Sequence, residues 1–477
     1  MKVVMAAAEC APFAKAGGLA DVMGALPKEL SSLGHEVTVL LPEYSLIAEE
    51  YKKNFTEIEE IEFEFMGTAV SCKISSWHKD GVHFVFLGNE DYFHGPEIYS
   101  HNDMERYAFF VHAVLQVMKS QQFDADVLHV HDWHTAMIPF LLAEDKQYEE
   151  LKRELPCVLT VHNLQFQGAA SKEDFEKVFR MDDRYFLDGK VEWRGNFNAL
   201  KTGISYADAI TTVSPTYRDE ILTAAFGERL DPFLKSREED LIGILNGIDV
   251  QTYNPADDPK IEMKFDVESL SGKAVNKRAI QRKYGLPESE ETPLLVMVSR
   301  LSGQKGIDVL QDTLPQLLQE EEVQFVLLGS GEEKYEQFFK ELEIDFAGQV
   351  AVHLGFDENL AHLLYAGGDV FLMPSHFEPC GLSQLISMRY GTVPVANKTG
   401  GLKDTIIDYV ENAQQGNGFL SDGQAGITYD EALKRSLSFF SKPSQWEEIR
   451  RNGMKGDYSW SRSAEEYAKV YKKLVGK

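Results

Sequence analysis

Residues 2–42 read KVVMAAAECAPFAKAGGLADVMGALPKELSSLGHEVTVLLP. A short apolar run opens the stretch. A glycine-rich turn follows, then an apolar-periodic segment from Gly18 that Gly34 closes, then a second apolar run from Glu36. Short apolar runs flanking a segment of helical period are strand, helix and strand, and strands joined through a helix lie parallel. The stretch therefore predicts a βαβ unit with a glycine-rich first turn. Glu9 interrupts the opening run within a few residues, so the start reads as a buried first strand and not as a secretory leader.

The same alternation continues. Residues 61–88 instead alternate at period two, with KDG at 79–81 as a turn, and predict an inserted hairpin or meander. Further buried strands are expected at DVLHVHD (126–132), CVLTVHN (157–163) and DAITTVS (208–214). Composition then turns to Gly, Asn, Pro and Asp between Gly247 and Pro259, which marks a domain boundary. A second series follows: PLLVMVSRL, VQFVLLGSG, VAVHLGF, DVFLMPS and VPVAN, each ahead of a helix candidate. Repeated β-then-α order predicts a second doubly wound sheet. The expected domains are 1–246 and 247–477, with a last helix at about 461–475 able to pack back on the first domain.

The bulk composition bounds the partners. Of 477 residues 43% are hydrophobic, as in globular domains, and the net charge is -28. Such acidity argues against nucleic acid and anionic membranes, which need clustered Lys and Arg. No apolar run approaches the ~18 residues of a membrane span. Cys10, Cys72, Cys157 and Cys380 form no CxxC pair, so neither a disulfide framework nor a zinc ribbon is indicated. A reducing, cytoplasmic setting is expected.

Several turns carry chemistry. A helix N-terminus offers free N–H groups and a partial positive charge, and glycines let an anion or sugar approach the backbone. Gly17 and Gly18, with Lys15 as a point charge, suit a phosphate; a tight turn with a solvated lysine has the same sequence. KAGGLAD (15–21) recurs as KTGGLKD (398–404), either by coincidence or as two nucleotide-style halves. Neither copy is a Walker A loop or a GxGxxG fingerprint. VSRLSGQKG places Arg300 and Lys305 in one loop after a strand, where two cations can grip a diphosphate without a metal. In SHFEPCGLSQL, Glu378 can accept sugar hydroxyls and the N–H groups of Gly381 to Ser383 can face an anion; a carboxylate at a helix start is the plainer alternative. Asp132 and Trp133, at the end of HVHDW, can hydrogen-bond and stack on a sugar, and His162 ends the next strand. The crevice beyond strand carboxyl ends is where ligands bind in open α/β sheets. His129, His131 and His134 show no diagnostic metal spacing, and Cys380 reads as a packed thiol.

KAGGLADV, HDWHT, VHN, LNGID, SRLSGQKG and FEPCGLSQL, in that order, resemble bacterial glycogen synthases and plant starch synthases, glycosyltransferase family 5. The resemblance covers essentially the whole chain. It implies a GT-B fold, two Rossmann-like doubly wound domains facing a deep cleft. It also implies transfer of glucose from ADP-glucose to the 4-OH of an α-1,4-glucan such as glycogen or maltooligosaccharide, with retention and without a required metal or cofactor. On this sequence Arg300 and Lys305 would bind the diphosphate and stabilise the leaving ADP. Glu378 would hold glucose hydroxyls, and the Cys380, Gly381, Leu382 and Ser383 turn would contact glucose or phosphate. His162 would sit at the donor glucose. Lys15, Gly17 and Gly18 would close over the donor, assisted by Asp21 and Asn246. Phe356 would stack on adenine, where the family commonly has Tyr. Tyr99, Asp132 and Trp133 would lie toward the acceptor. Ala16 replaces the family's usual Thr, and Ile386 stands where many other retaining GT-B enzymes carry a second Glu. No carboxylate nucleophile is evident, so a same-face substitution is expected. A pyridoxal-phosphate phosphorylase on a related fold, or a non-catalytic glucan-binding protein, are the competing readings.

Overall fold

The computed structural model describes residues 1–120, 124–423 and 426–476. The chain divides into two compact units, Met1–Asn246 with Trp460–Lys477, and Gly247–Ser459.

The first unit is built on a nine-stranded sheet: β1 Lys2–Ala6, β2 Glu36–Pro42, β3 Thr56–Phe65, β4 Thr68–Lys79, β5 Val82–Gly88, β6 Val127–His131, β7 Cys157–Val161, β8 Ala209–Thr212 and β9 Leu241–Gly243. Their order is β9-β8-β7-β6-β1-β2-β5-β4-β3. The opening stretch forms the expected βαβ unit, with helix Gly18–Ser32 between parallel β1 and β2. Residues 61–88 are not an insertion. β5 pairs parallel with β2, and β4 and β3 add antiparallel at the edge, so the meander continues the main sheet. Its two-residue turns, Met66-Gly67 and Asp80-Gly81, have positive φ at all four positions, the backbone that matches strand twist in tight hairpins. β9 escaped the sequence reading because three residues within a Gly- and Ile-bearing stretch carry no period.

The second unit holds six parallel strands: β10 Leu294–Leu301, β11 Gln324–Gly331, β12 Val350–Leu354, β13 Val370–Met373, β14 Val393–Asn397 and β15 Phe419–Ser421. The order β12-β11-β10-β13-β14-β15 is that of a dinucleotide-binding sheet. Both faces are buried. Leu295, Met297, Phe325 and Leu327 pack with Leu310 and Leu314 on one side. Leu294, Val296, Val326 and Leu328 pack with Leu360 and Leu364 on the other. This double burial explains why these strands are continuous apolar runs. β15 is another strand that the sequence reading missed, as are the short strands Ala169–Ala170, Glu192–Trp193 and Asn196–Asn198 of a separate three-stranded sheet in the first unit.

The last helix, Trp460–Val475, belongs to the first unit. Ala464, Tyr467, Ala468 and Tyr471 recur at helical spacing and are buried, and Ser461 Oγ donates to Glu29 Oε2 at 3.1 Å. Among the described residues no helix is long and apolar enough to cross a membrane.

Candidate functional site

Each of the two large sheets has a switch point from which the parallel strands wind in opposite directions, between β1 and β6 in the first unit and between β10 and β13 in the second. Most of the candidate residues follow the carboxyl ends of strands in these two sheets.

In the second unit, Arg300 is the penultimate residue of β10, and Lys305 ends the single turn Gly303–Lys305 that follows. Gly306 has φ +68°, and a Cβ there would lie 1.9 Å from the Pro374 carbonyl oxygen. Only glycine lets this loop press against the end of β13. The contact brings Lys305 to Glu378: Nζ donates to Oε2 at 2.6 Å, and Ser375 Oγ donates to the same oxygen at 3.0 Å. Glu378 is therefore an ion-paired, buried carboxylate and not a helix-start residue. Its ammonium partner has three donors and keeps two to offer. Arg300 is exposed, and its guanidinium has no hydrogen-bond or ion-pair partner among the described residues. Past Glu378, Cys380 is buried, whereas Gly381, Leu382 and Ser383 are partly exposed ahead of helix Ser383–Arg389. Phe356, two residues beyond β12, is 87% exposed.

The two glycine turns differ. At Gly18 a Cβ would meet nothing within 4 Å. At Gly400 and Gly401 it would lie 1.9 and 2.0 Å from the carbonyl oxygens of Glu378 and Cys380. Gly401 N also donates to Glu378 O at 3.1 Å, and Lys398 pairs with Asp422 at 2.9 Å. The second copy braces the Glu378 loop, so the repeat does not make two equivalent anion turns.

In the first unit, Lys15 Nζ pairs with Asp21 Oδ1 at 2.5 Å on a half-exposed surface. Glu9, which entered the sequence reading only as a break in the apolar run, organises the turn. Its Oε2 accepts from the backbone N–H of Ala16 at 2.6 Å and Gly17 at 2.7 Å, and its Oε1 accepts from the Tyr99 hydroxyl. Two of the free N–H groups around the helix start are thus already taken by a carboxylate of the protein. The signal available was an acidic residue just past a buried strand.

Asp132 follows β6 with φ +56°, a left-handed conformation that is strained for a residue other than glycine. Its Oδ1 accepts the His162 N–H at 2.7 Å, which ties the ends of β6 and β7 together. Burial pushes the Asp132 carboxyl up to about 7, partly offset by that backbone donor. Burial also pushes His162 down to about 3, so its ring is neutral. His162 Nε2 meets His131 Nδ1 at 3.0 Å. Trp133 packs against Gly168, where a Cβ would lie 2.3 Å from its ring, and Tyr99 stacks on His134. Asn246 is buried at the end of this unit, and its Oδ1 has no hydrogen-bond partner among the described residues. Deeper in the core, His129 joins Tyr471 through Nδ1 at 2.7 Å and Thr160 through Nε2 at 2.6 Å. Among the described residues no three His, Cys, Asp or Glu side chains converge as metal ligands.

The chain was compared with known proteins. Residues 2–236 match the starch synthase catalytic domain family, and residues 277–455 match glycosyl transferases group 1. Over its whole length the chain is 46% identical to the glycogen synthase of Geobacillus thermodenitrificans, covering 98% of that protein. It is 44% identical to that of Bacillus licheniformis, again covering 98%. The catalytic domain of Arabidopsis thaliana starch synthase IV, solved with ADP and acarbose, superposes with a TM-score of 0.91 at 32% identity, covering 100% of this chain and 99% of that one. Sucrose-phosphate synthase from Thermosynechococcus elongatus, at 16% identity and a TM-score of 0.61 over 100% of this chain and 99% of that one, shares the fold. With two Rossmann-like units in GT-B order and full-length likeness to these enzymes, the chain belongs to the glycogen and starch synthase family of glycosyltransferases.

Proposed function

We propose that this chain elongates an α-1,4-glucan, transferring glucose from ADP-glucose to the non-reducing 4-OH with retention and releasing ADP. The observation that carries this reading is the Lys305–Glu378 pair at the β10/β13 switch point, with the Arg300 guanidinium, which has no partner among the described residues, on the same strand end. Two cations there suit the diphosphate, and a buried carboxylate beside them suits sugar hydroxyls. The positive charge on Arg300 and Lys305 takes the place of a metal in stabilising the departing ADP, so no metal or cofactor is required. The Cys380–Ser383 turn would contact the donor through backbone N–H groups, and Phe356 would offer its exposed ring to adenine.

The first unit would supply Lys15, Gly17, Gly18, Asp21 and Asn246 toward the donor and His162 toward the glucose being transferred. Tyr99, Asp132 and Trp133 would face glycogen or a maltooligosaccharide. No carboxylate is assigned as nucleophile, so departure and attack occur on one face of the sugar. The protein would work in the cytoplasm.

The test is transfer of labelled glucose to glycogen, with ADP-glucose and UDP-glucose compared in the presence of a chelator. Transfer mainly from ADP-glucose is expected. Preference for UDP-glucose overturns the donor, dependence on added metal overturns the charge argument, and no transfer from either overturns the reaction.

A further inference from the structure

His131 and His162 sit at the ends of adjacent parallel strands, β6 and β7, both pointing toward the same edge. Their rings stack with centroids 5.3 Å apart and an interplanar angle of 30°. Between them is one contact, His131 Nδ1 to His162 Nε2, at 3.0 Å. His131 is fully buried, and its second nitrogen, Nε2, has no hydrogen-bond partner among the described residues. His162 Nδ1 likewise has none among the described residues, but His162 is partly exposed at the strand end where ligands are expected.

The hydrogens follow from these contacts. Burial depresses both rings well below the usual histidine range, so each carries one hydrogen. One hydrogen therefore occupies the 3.0 Å contact, and it belongs to one ring or the other. If it belonged to His162, the hydrogen of His131 would be on Nε2, an N–H buried with no acceptor. If it belongs to His131, Nε2 is a bare nitrogen, and a buried acceptor left unsatisfied is the commoner compromise. The second arrangement makes His162 Nε2 an acceptor and puts its own hydrogen on Nδ1. The Asp132 carboxylate fixes the His162 backbone at the same time, through its N–H at 2.7 Å.

We propose that His131 is a positioning residue: its Nδ1–H holds His162 in the Nδ1–H tautomer, so that the open edge of His162 is a hydrogen-bond donor. Such an edge recognises an oxygen lone pair of a sugar hydroxyl and rejects a group that can only donate. This inference rests on the reading that His162 meets the donor sugar. The hydrogen bond at one ring nitrogen of a histidine sets which nitrogen carries the hydrogen. Where such partners orient metal-binding histidines, their loss costs on the order of tenfold to a hundredfold in affinity or activity, the scale expected for His131.

The test begins with the unaltered full-length protein labelled with 15N-histidine. Long-range proton–nitrogen correlation reads each tautomer, with the His162 signals assigned by their loss in His162→Gln. Nδ1-protonated His162 is expected, and Nε2-protonated His162 overturns the proposal without any variant of His131. His131→Leu should shift His162 to the Nε2-protonated form and lower kcat about tenfold to a hundredfold, with KM for glycogen nearly unchanged. His131→Asn, whose side-chain amide can still donate, should restore the Nδ1 form and much of kcat even if the Leu variant folds poorly. An unchanged tautomer in folded His131→Leu sinks the positioning role. A switched tautomer with unchanged kcat supports the positioning and instead overturns the placement of His162 at the donor.

Discussion

The ammonium of Lys305 and the carboxylate of Glu378 lie 2.6 Å apart although 73 residues separate them in sequence. Each comes from a loop that leaves one of the two strands flanking the switch point. Replacing Lys305 by Ala removes a donor to the diphosphate and leaves Glu378 with Ser375 as its remaining side-chain partner. Turnover should fall by about a hundredfold or more, as for other lost transition-state charges. Arg300→Ala should do the same with no loss of stability, because its guanidinium has no hydrogen-bond or ion-pair partner to lose among the described residues. Near-normal kcat in both variants, measured with saturating glycogen, would remove the assigned roles.

The two glycine turns should respond in opposite ways. Gly18→Ala meets open space, so the unfolding midpoint should stay within error while KM for ADP-glucose rises. Gly400→Ala drives a methyl into the Glu378 carbonyl at a φ of +45°. It should destabilise the second unit and lower kcat by displacing Glu378. Denaturation and kinetics on both variants decide the point, and equal stability loss in the two would show that the turns are alike after all.

Phe356 offers a simpler measurement. Its ring is 87% exposed, so Phe356→Ala should change stability by less than about 0.5 kcal/mol. Losing a stacking partner worth about 0.5–1.5 kcal/mol should raise KM for ADP-glucose roughly two- to tenfold. Phe356→Tyr should behave like the parent. A KM untouched by the Ala change rules out stacking on the adenine.

Acid should weaken the first unit. Burial holds His129 and His134 near 3, against 6.5 for a free ring. As pH falls below about 6.5 the unfolded chain takes up protons that the folded rings refuse, so stability is full above that pH and is lost toward 3. By pH 5 each ring has cost about 2 kcal/mol. Asp132 acts in the other sense. Its folded carboxyl titrates near 7, so it disfavours folding at neutral pH and relaxes as pH falls. Two rings outweigh one carboxyl, and the urea midpoint followed by tryptophan fluorescence should drop between pH 7.5 and 5. A midpoint that is flat across this range contradicts the neutral buried rings.

Tyr471→Phe deletes the hydroxyl that meets His129 Nδ1 and leaves a buried nitrogen without a partner. The expected cost is about 1–3 kcal/mol. Transfer activity measured well below the melting range should be retained, because the pair lies beneath the strand ends and not at them. A loss of activity without a loss of stability would place Tyr471 in the chemistry.

Much of this was legible in the sequence because burial writes itself into composition. β10, β11 and β14 are buried on both faces, so they appear as unbroken apolar runs. The glycine turn after β1 was legible as a local pattern, a Gly-Gly pair between a strand and a helix, although the structure leaves open space at Gly18. Glu9 and His131 were harder to read. Glu9 acts on a turn seven residues away, and its one local mark is an acidic side chain just past a buried strand; His131 acts through a neighbouring strand, and nothing in its own surroundings marks that role. The bracing role of KTGGLKD was hidden because its partner is the backbone of residues 378–380, which has no sequence signature at all.

The helix Trp460–Val475 completes a core begun by residues near the other end of the chain. During translation, residues 1–246 leave the ribosome before the helix that supplies Tyr467 and Tyr471 has been made. All of Gly247–Ser459, by contrast, has been synthesised by then. The nascent first unit therefore lacks the cover that Tyr467 and Tyr471 give His129 until Gly247–Ser459 has been made, so of the two units the one begun first gains its full cooperativity second.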